Sequence, residues 1–188
     1  MGQLGNQMFQ YAALKGIANN RGLEYTVPNH KEVLEDGLGN QLRIELYDAF
    51  DIYPKNQGLL PTNEYVQEAY FHFDQDLYNE CPDNCSIVGY FQSEKYFIHI
   101  REEIVRDFRV KKEYRDDCKS ILKQFDHPIA LHIRRGDFLI NSLNHYNLSM
   151  RYYKNALDCF DEDRQVIVFS DDPDWCYKQK LFESDRFI

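Results

Sequence analysis

The sequence contains no run of about 18 apolar residues, so nothing in it reads as a membrane-spanning helix. Its opening is a glycine-bearing motif and not a charged-then-apolar leader, so no signal-peptide pattern is visible. Basic charge is also scarce: 22 Lys and Arg face 31 Asp and Glu, for a formal net charge of −9. A nucleic-acid binder needs a basic face, and this deficit argues against that role. The same field repels anionic ligands, so a phosphate-bearing substrate would have to find a local cluster of Arg or Lys. Cysteine pairs at zinc spacing are missing as well. Of Cys81, Cys85, Cys118, Cys159 and Cys176, only the first two are near each other, as C-x-x-x-C, and no second pair follows. An odd number of irregularly spaced cysteines fits free thiols in a reducing cytoplasm. Asn84-Cys85-Ser86 and Asn147-Leu148-Ser149 have the form of glycosylation sequons, which carry little weight without a secretion signal.

What the chain does have is the composition of a folded soluble protein. Hydrophobic residues make up 43% and charged residues 28%, and the 15% aromatic content excludes a disordered chain. At 188 residues the size suits one ordinary domain or two small ones. After the opening glycines, Phe9, Ala12, Ala13, Gly16 and Ile17 recur at helical spacing, with Gly22 as the stop. Leu23 to Val27 reads as a short strand ended by Pro28, and residues 29–63 read as irregular. Within them Leu38-Gly39-Asn40-Gln41 echoes Leu4-Gly5-Asn6-Gln7, an echo taken as coincidence, as is the Asp74-x-Asp76 pair. Ile87 to Phe91 reads as a strand. Ser93 caps a following helix with Phe97, Ile100, Ile104 and Phe108 as its stripe, and a further helix spans about 113–125. The C-terminal part is the more regular. Strand Ile129–Ile133, helix 149–160, strand Gln165–Phe169 and a helix from Pro173 alternate as in a parallel α/β unit. Ligands of such units bind beyond the carboxyl ends of the strands, where HIRRGD and SDDPD fall.

Arg134 and Arg135 follow the first of those strands. Neighbouring side chains on a strand point to opposite faces, so both could grip one ligand only if the chain turns, as Gly136 allows. Arg134 is assigned to a diphosphate, because a guanidinium is planar, permanently charged and able to bind phosphate in bidentate fashion. Arg135 is read as at least partly structural. The bland alternative is a surface salt bridge to Asp137. His132 is either a hydrogen-bonded core histidine or a nucleotide or acceptor contact. Asp137 orients one of the arginines or acts as a base. Three readings stay open for Ser170, Asp171, Asp172 and Asp174: a metal site, hydrogen bonding to ribose or base, and the capping of a helix N-terminus. Gly2 to Gln7 reads as a loop that lets backbone approach a ligand, although it matches neither the dinucleotide nor the P-loop pattern.

Taken together, GQLGNQMFQYA, VGYFQSEKYF, LHIRRGDF and VFSDDPDWC, with weaker echoes in IELYDAFDI and YYKNAL, resemble the α-1,2-fucosyltransferases of bacteria and animals, glycosyltransferase family 11. The resemblance implies an α/β, GT-B-like architecture of two Rossmann-type domains facing a cleft. Residues 1–125 would form the acceptor-side domain and 126–188 the first part of the donor domain. It implies inverting transfer of L-fucose from GDP-β-L-fucose to a galactoside hydroxyl, in α-1,2 linkage, without metal or other cofactor. It places Arg134 on the donor diphosphate, His132, Asp137, Ser170 and Asp171 around the nucleotide with Arg135 and Asp172 beside them, and Gly5, Asn6 and Gln7 near fucose and acceptor. Partners would be GDP-fucose and a galactose-containing glycan, not nucleic acid. The location would be cytoplasmic at a membrane face, in membrane glycan biosynthesis, or the Golgi membrane for a eukaryotic full-length protein. The chain departs from the family at Gln3, where a second glycine is usual. It also lacks the strand that normally precedes the opening loop, and it stops at Phe187-Ile188, before an aromatic, Ser-rich segment, so the donor domain is expected to be incomplete. Two alternatives remain: a metal-dependent glycosyltransferase that uses the SDDPD carboxylates, and an inactive nucleotide-sugar-binding fragment.

Overall fold

The computed structural model describes residues 2–35, 41–62, 64–141, 143 and 145–188, apart from the side chains of Leu34, Glu35 and Asp137. The second LGNQ tetrapeptide therefore lies largely outside the described residues. The protein is a mixed α/β chain that divides into two compact units, one ending at Tyr114 and one running from Arg115 to Ile188. That division falls inside a helix, ahead of the boundary at residue 125 that the sequence suggests.

In the first unit, helix α1 (Leu4–Arg21) ends as the sequence indicates. Gly22 takes up φ 68°, a left-handed conformation that glycine adopts without a Cβ penalty, and its N–H reaches back to the last turn. Ala12, Ala13, Gly16 and Ile17 are buried as expected, while Phe9 stays partly exposed. Leu23–Val27 does not form a strand. Only Val27 makes a bridge, to Gln57, because no neighbouring strand extends the pairing. Two short antiparallel strands, β1 (Val33–Glu35) and β2 (Gln41–Arg43), interrupt the stretch read as irregular, and helix α2 (Leu46–Ala49) follows.

Strand β3 (Tyr65–Gln67), helix α3 (Gln75–Glu80) and strand β4 (Ser86–Val88) form a small β-α-β element whose two strands pair in parallel. Asp74 caps α3, its carboxylate accepting the Leu77 N–H at 3.0 Å, which accounts for the first Asp of the Asp74-x-Asp76 pair. The single helix expected after Ser93 is broken into 3₁₀ turns at Glu94–Tyr96 and Ile98–Ile100 and helix α4 (Arg101–Asp107), and the Ser93 side chain makes no capping bond. Ile100 and Ile104 are nevertheless buried, with Phe97 and Phe108 packed beside them, so the sequence stripe survives the break. Helix α5 (Lys112–Leu122) buries none of its residues.

Tyr96 organises this unit. The residue is 0% exposed, and its hydroxyl donates to Glu68 Oε1 at 3.0 Å while accepting the Asp74 N–H at 2.9 Å. α1 presses against it so closely that a Cβ on Gly16 would lie 2.0 Å from the Tyr96 carbonyl oxygen. Across the same helix, Lys15 and the Tyr11 hydroxyl both bind the Asp107 carboxylate, at 2.7 and 2.9 Å, and tie α1 to α4.

The second unit holds strand β5 (Ile129–Ile133), helix α6 (Gly136–Ile140), helix α7 (Met150–Leu157), strand β6 (Val166–Ser170) and helix α8 (Pro173–Cys176). β5 and β6 pair in parallel over five residues, from Ile129 opposite Val166 to Ile133 opposite Ser170. The other edge of β6 is occupied by the chain end, with Val168 N–H donating to Ile188 O at 2.8 Å and Ile188 N–H to Val166 O at 2.9 Å. Ile129, Leu131, Ile133 and Val166 pack with Tyr153, Leu157 and Cys176 into one core. Mixed α/β structure with small parallel sheets is thus observed directly.

Two outcomes follow for the first unit. Gly16→Ala should destabilise it by about 1–3 kcal/mol, since the intruding methyl meets backbone and not a movable side chain; unchanged chemical denaturation would contradict this contact. The Tyr11 and Tyr96 phenols are pushed up from the ordinary 10.0, first by burial, then by hydrogen bonding, in Tyr96 to Glu68 against an opposing Asp74 N–H and in Tyr11 to Tyr25 and Asp107. The unfolded chain would therefore release these protons first. Their contribution is complete below the ordinary value and is lost as pH rises above it, so melting temperature should fall in alkali and the double Phe variant should flatten that fall.

Candidate functional site

Parallel pairing places the ends of β5 and β6 on one edge of the second unit, so HIRRGD and SDDPD meet there. Asp171 accepts the backbone N–H of Arg135 on Oδ1 at 2.8 Å. A Cβ on Gly136 would lie 2.7 Å from Asp171 Oδ2, so a larger residue there would push that carboxylate aside; Gly136 itself does not have a positive φ. Asp172 acts twice. Its Oδ1 accepts the Trp175 N–H at 3.2 Å and caps α8, and its Oδ2 accepts from Arg135 Nε at 3.0 Å. The Ser170 hydroxyl accepts the Asp172 N–H at 3.0 Å. Of the readings open for the acidic cluster, helix capping is therefore the one seen for Asp172, with an added role as anion for an arginine.

Arg135 is held on three sides. Besides the two aspartates, its guanidinium carbon sits 3.8 Å from the centroid of the Trp175 ring, a distance at which cation and π face attract. Below it, the buried Tyr153 has its phenol pushed up by burial and by neighbouring Cys176, with Arg135 pulling the other way. Arg134 is half-buried at the strand end, its guanidinium carbon 4.9 Å from the centroid of Phe138, and Phe138 stacks on His145 at 4.1 Å with planes 5° apart. The two adjacent arginines thus take different supports. The Arg135 guanidinium has the Asp172 carboxylate and the Trp175 ring on it, and the Arg134 guanidinium lies against the Phe138 ring.

His132 is not a core histidine. Burial alternates along β5, so Ile129, Leu131 and Ile133 face the core and His132 shares the open face with Phe169, its register partner. Asp137 lies in α6, and its side chain is outside the described residues. Among the described residues, no group of three or more His, Cys, Asp or Glu is arranged to hold a metal ion.

The opening motif of the first unit is helix and not loop, since Gly5, Asn6 and Gln7 form the first turns of α1. Gly5 is exposed with open space around it. Asn6 Oδ1 accepts from Gln92 Nε2 at 2.9 Å. Gln7 is 3% exposed. Its Nε2 donates to Gly2 O at 3.0 Å and Arg43 O at 2.9 Å, and its Oε1 accepts the Glu45 N–H at 2.8 Å. With its amide satisfied inside the unit, Gln7 can position neighbouring backbone but does not present itself to a ligand. Phe138 and Trp175, which carry the two guanidinium groups, were not foreseen. The signal for Trp175 was its place as the sole tryptophan, three residues after a capping Asp.

The family model for glycosyl transferase family 11 matches residues 1–186. An Escherichia coli alpha-1,2-colitosyltransferase is 25% identical over 96% of this chain and 71% of its own length. The E. coli O-antigen biosynthesis glycosyltransferase WbnK is 26% identical over 93% of this chain and 72% of its own. The pig galactoside alpha-(1,2)-fucosyltransferase 2 is 27% identical over 94% of this chain but 53% of its own length. No solved structure matches the chain.

Removing Asp172 tests the double role directly. Asp172→Ala should cost the second unit about 1–2 kcal/mol, and Asp172→Asn should recover the cap while leaving Arg135 without its anion. Thermal melting of Asp172→Asn at the wild-type temperature would contradict the Arg135 pairing, and equal melting of the two variants would contradict the cap.

Proposed function

The chain belongs to glycosyl transferase family 11, and from that premise we propose that it transfers L-fucose from GDP-β-L-fucose to a hydroxyl of a galactose-containing glycan, in α-1,2 linkage and with inversion. The observation that carries this reading is Arg134 at the carboxyl edge of the parallel strands β5 and β6, where ligands of such sheets bind. The named activities of the relatives, among them colitosyl and fucosyl transfer, support the same class of reaction.

In the proposed step the acceptor oxygen attacks C1 of the fucose while the bond from C1 to the diphosphate oxygen breaks. The electron pair of that bond leaves with GDP, and the acceptor hydroxyl gives up its proton. Negative charge therefore grows on the diphosphate. Arg134 meets it with a fixed, permanently charged fork, held in place by stacking on Phe138. Arg135 serves chiefly to fasten the β5 end to the β6 end, its charge already matched by Asp172. Ser170, Asp171 and the exposed His132 border the space assigned to the nucleotide, and Asp137 is assigned to orienting Arg134 or accepting the acceptor proton. The two units correspond to the two halves of a GT-B arrangement, with Gly5 and Asn6 on the acceptor side. Among the described residues no helix is long and apolar enough to cross a membrane, and the reading places the reaction at the face of a membrane on which glycans are built.

The metal-dependent alternative asks for the SDDPD carboxylates, yet Asp171 and Asp172 already accept hydrogen bonds from Arg135 and Trp175. We propose that Arg134 supplies the positive charge instead. Fucose transfer measured in excess EDTA should persist, and its loss would favour the alternative. Arg134→Ala should lower kcat/KM by about 10²–10³, with Arg134→Lys in between, because one preorganised charge contact at the leaving group is removed. Near-normal turnover by the Ala variant would contradict the assignment.

A further inference from the structure

The first unit has its own parallel strand pair, and the segments leaving the carboxyl ends of β3 and β4 carry an unusual surface. Phe71 is 85% exposed, Tyr70 59% and Tyr90 45%. Single exposed aromatics are ordinary, but neighbouring ones at a strand-end edge mark a binding surface. The Phe71 and Tyr90 rings lie 6.3 Å apart with planes 23° from parallel, and Tyr70 stacks on His72 at 4.7 Å.

The backbone beneath is built to hold these rings out. Glu68 Oε2 accepts the N–H groups of both Tyr90 (3.1 Å) and Phe91 (2.8 Å). A Cβ on Gly89 would sit 2.6 Å from the Glu68 Cβ, so the close approach needs glycine. Phe91 is held at φ 52°, in the left-handed region that a bulky residue rarely enters, with its ring 1% exposed as the anchor. The segment is then locked to the start of α1, with Gln10 Nε2 donating to Gly89 O at 2.8 Å and Gln92 bound to Asn6. Burying Phe91 in a strained conformation turns Tyr90 outward and sets the amides of Gln92 and Asn6 close by in the chain fold.

We propose that this edge is the acceptor subsite and binds a neutral pyranoside, with the C–H face of the sugar on Phe71 and Tyr90 and its hydroxyls on the Asn6–Gln92 amide pair. Aromatic faces suit the apolar face of a sugar ring, and amides both donate to and accept from hydroxyls. The inference rests on the glycosyl-transfer reading above, which calls for a glycan acceptor, and names the residues that would receive it.

The test uses the whole chain and a galactose-ended disaccharide, without donor, followed by saturation-transfer NMR. The wild-type protein should saturate the ring protons of the disaccharide, and Phe71→Ala with Tyr90→Ala should weaken binding roughly tenfold or more at unchanged melting temperature. Should the double variant lose stability, Phe71→Ala alone, at a largely exposed position, takes its place. Affinity for GDP, measured calorimetrically on the same proteins, should not change. Undiminished sugar binding by the variants, or no sugar binding by the wild type, overturns the subsite. Sugar binding that is lost in the variants while GDP-fucose is never consumed by the wild type would sink the transferase reading and leave the subsite standing.

Discussion

Parallel pairing of β5 with β6 is the constraint on which the second unit depends. It sets Ile133 opposite Ser170, and so delivers two polar segments, far apart in the chain, to one edge. The join is then made by a few bonds. Asp171 takes the Arg135 N–H, Asp172 takes the Arg135 guanidinium, and Trp175 covers that guanidinium from one face. Losing the pairing would leave a cluster of aspartates and arginines with no shared geometry. With it, the Asp172 charge is matched locally by Arg135, in a chain whose net charge is −9.

A comparable device holds the first unit. There the central group is the Tyr96 hydroxyl, bonded to Glu68 and Asp74 at the foot of the segments that leave β3 and β4. Close approach, and not conformational freedom, explains the glycines around it. Gly16 admits the Tyr96 backbone and Gly89 admits Glu68. In both units a carboxylate gathers N–H groups from a segment beyond a parallel strand: Asp171 from Arg135, Glu68 from Tyr90 and Phe91.

Legibility in the sequence followed the strength of local signals. β5, a mostly apolar run bounded by polar segments, was read residue for residue, and Gly22 as a helix stop needed only its left-handed φ. The strand at Leu23–Val27 failed because strand propensity without a partner yields only the bridge at Val27. β3 was missed because three residues carry too little periodicity, and its partner is supplied by tertiary structure. The glycines of GQLGNQ suggested a loop, but Gly5 sits in a helix whose remaining residues favour helix strongly enough to carry it. His132 looked buried because its sequence neighbours are, yet alternation along a strand puts every second residue on the other face. Arg135 was legible as partly structural from its adjacency to Arg134 alone. The rings that carry both guanidinium groups were not, since cation–π stacking leaves no spacing rule in sequence.

The central claim is that the Arg134 guanidinium receives the charge of a departing nucleoside diphosphate. A crystal structure of the chain with GDP tests it most directly. Under this mechanism the diphosphate oxygens lie about 3 Å from the Arg134 guanidinium nitrogens, beyond the carboxyl ends of β5 and β6. A diphosphate bound away from that edge, with Arg134 making no contact to it, would contradict the claim.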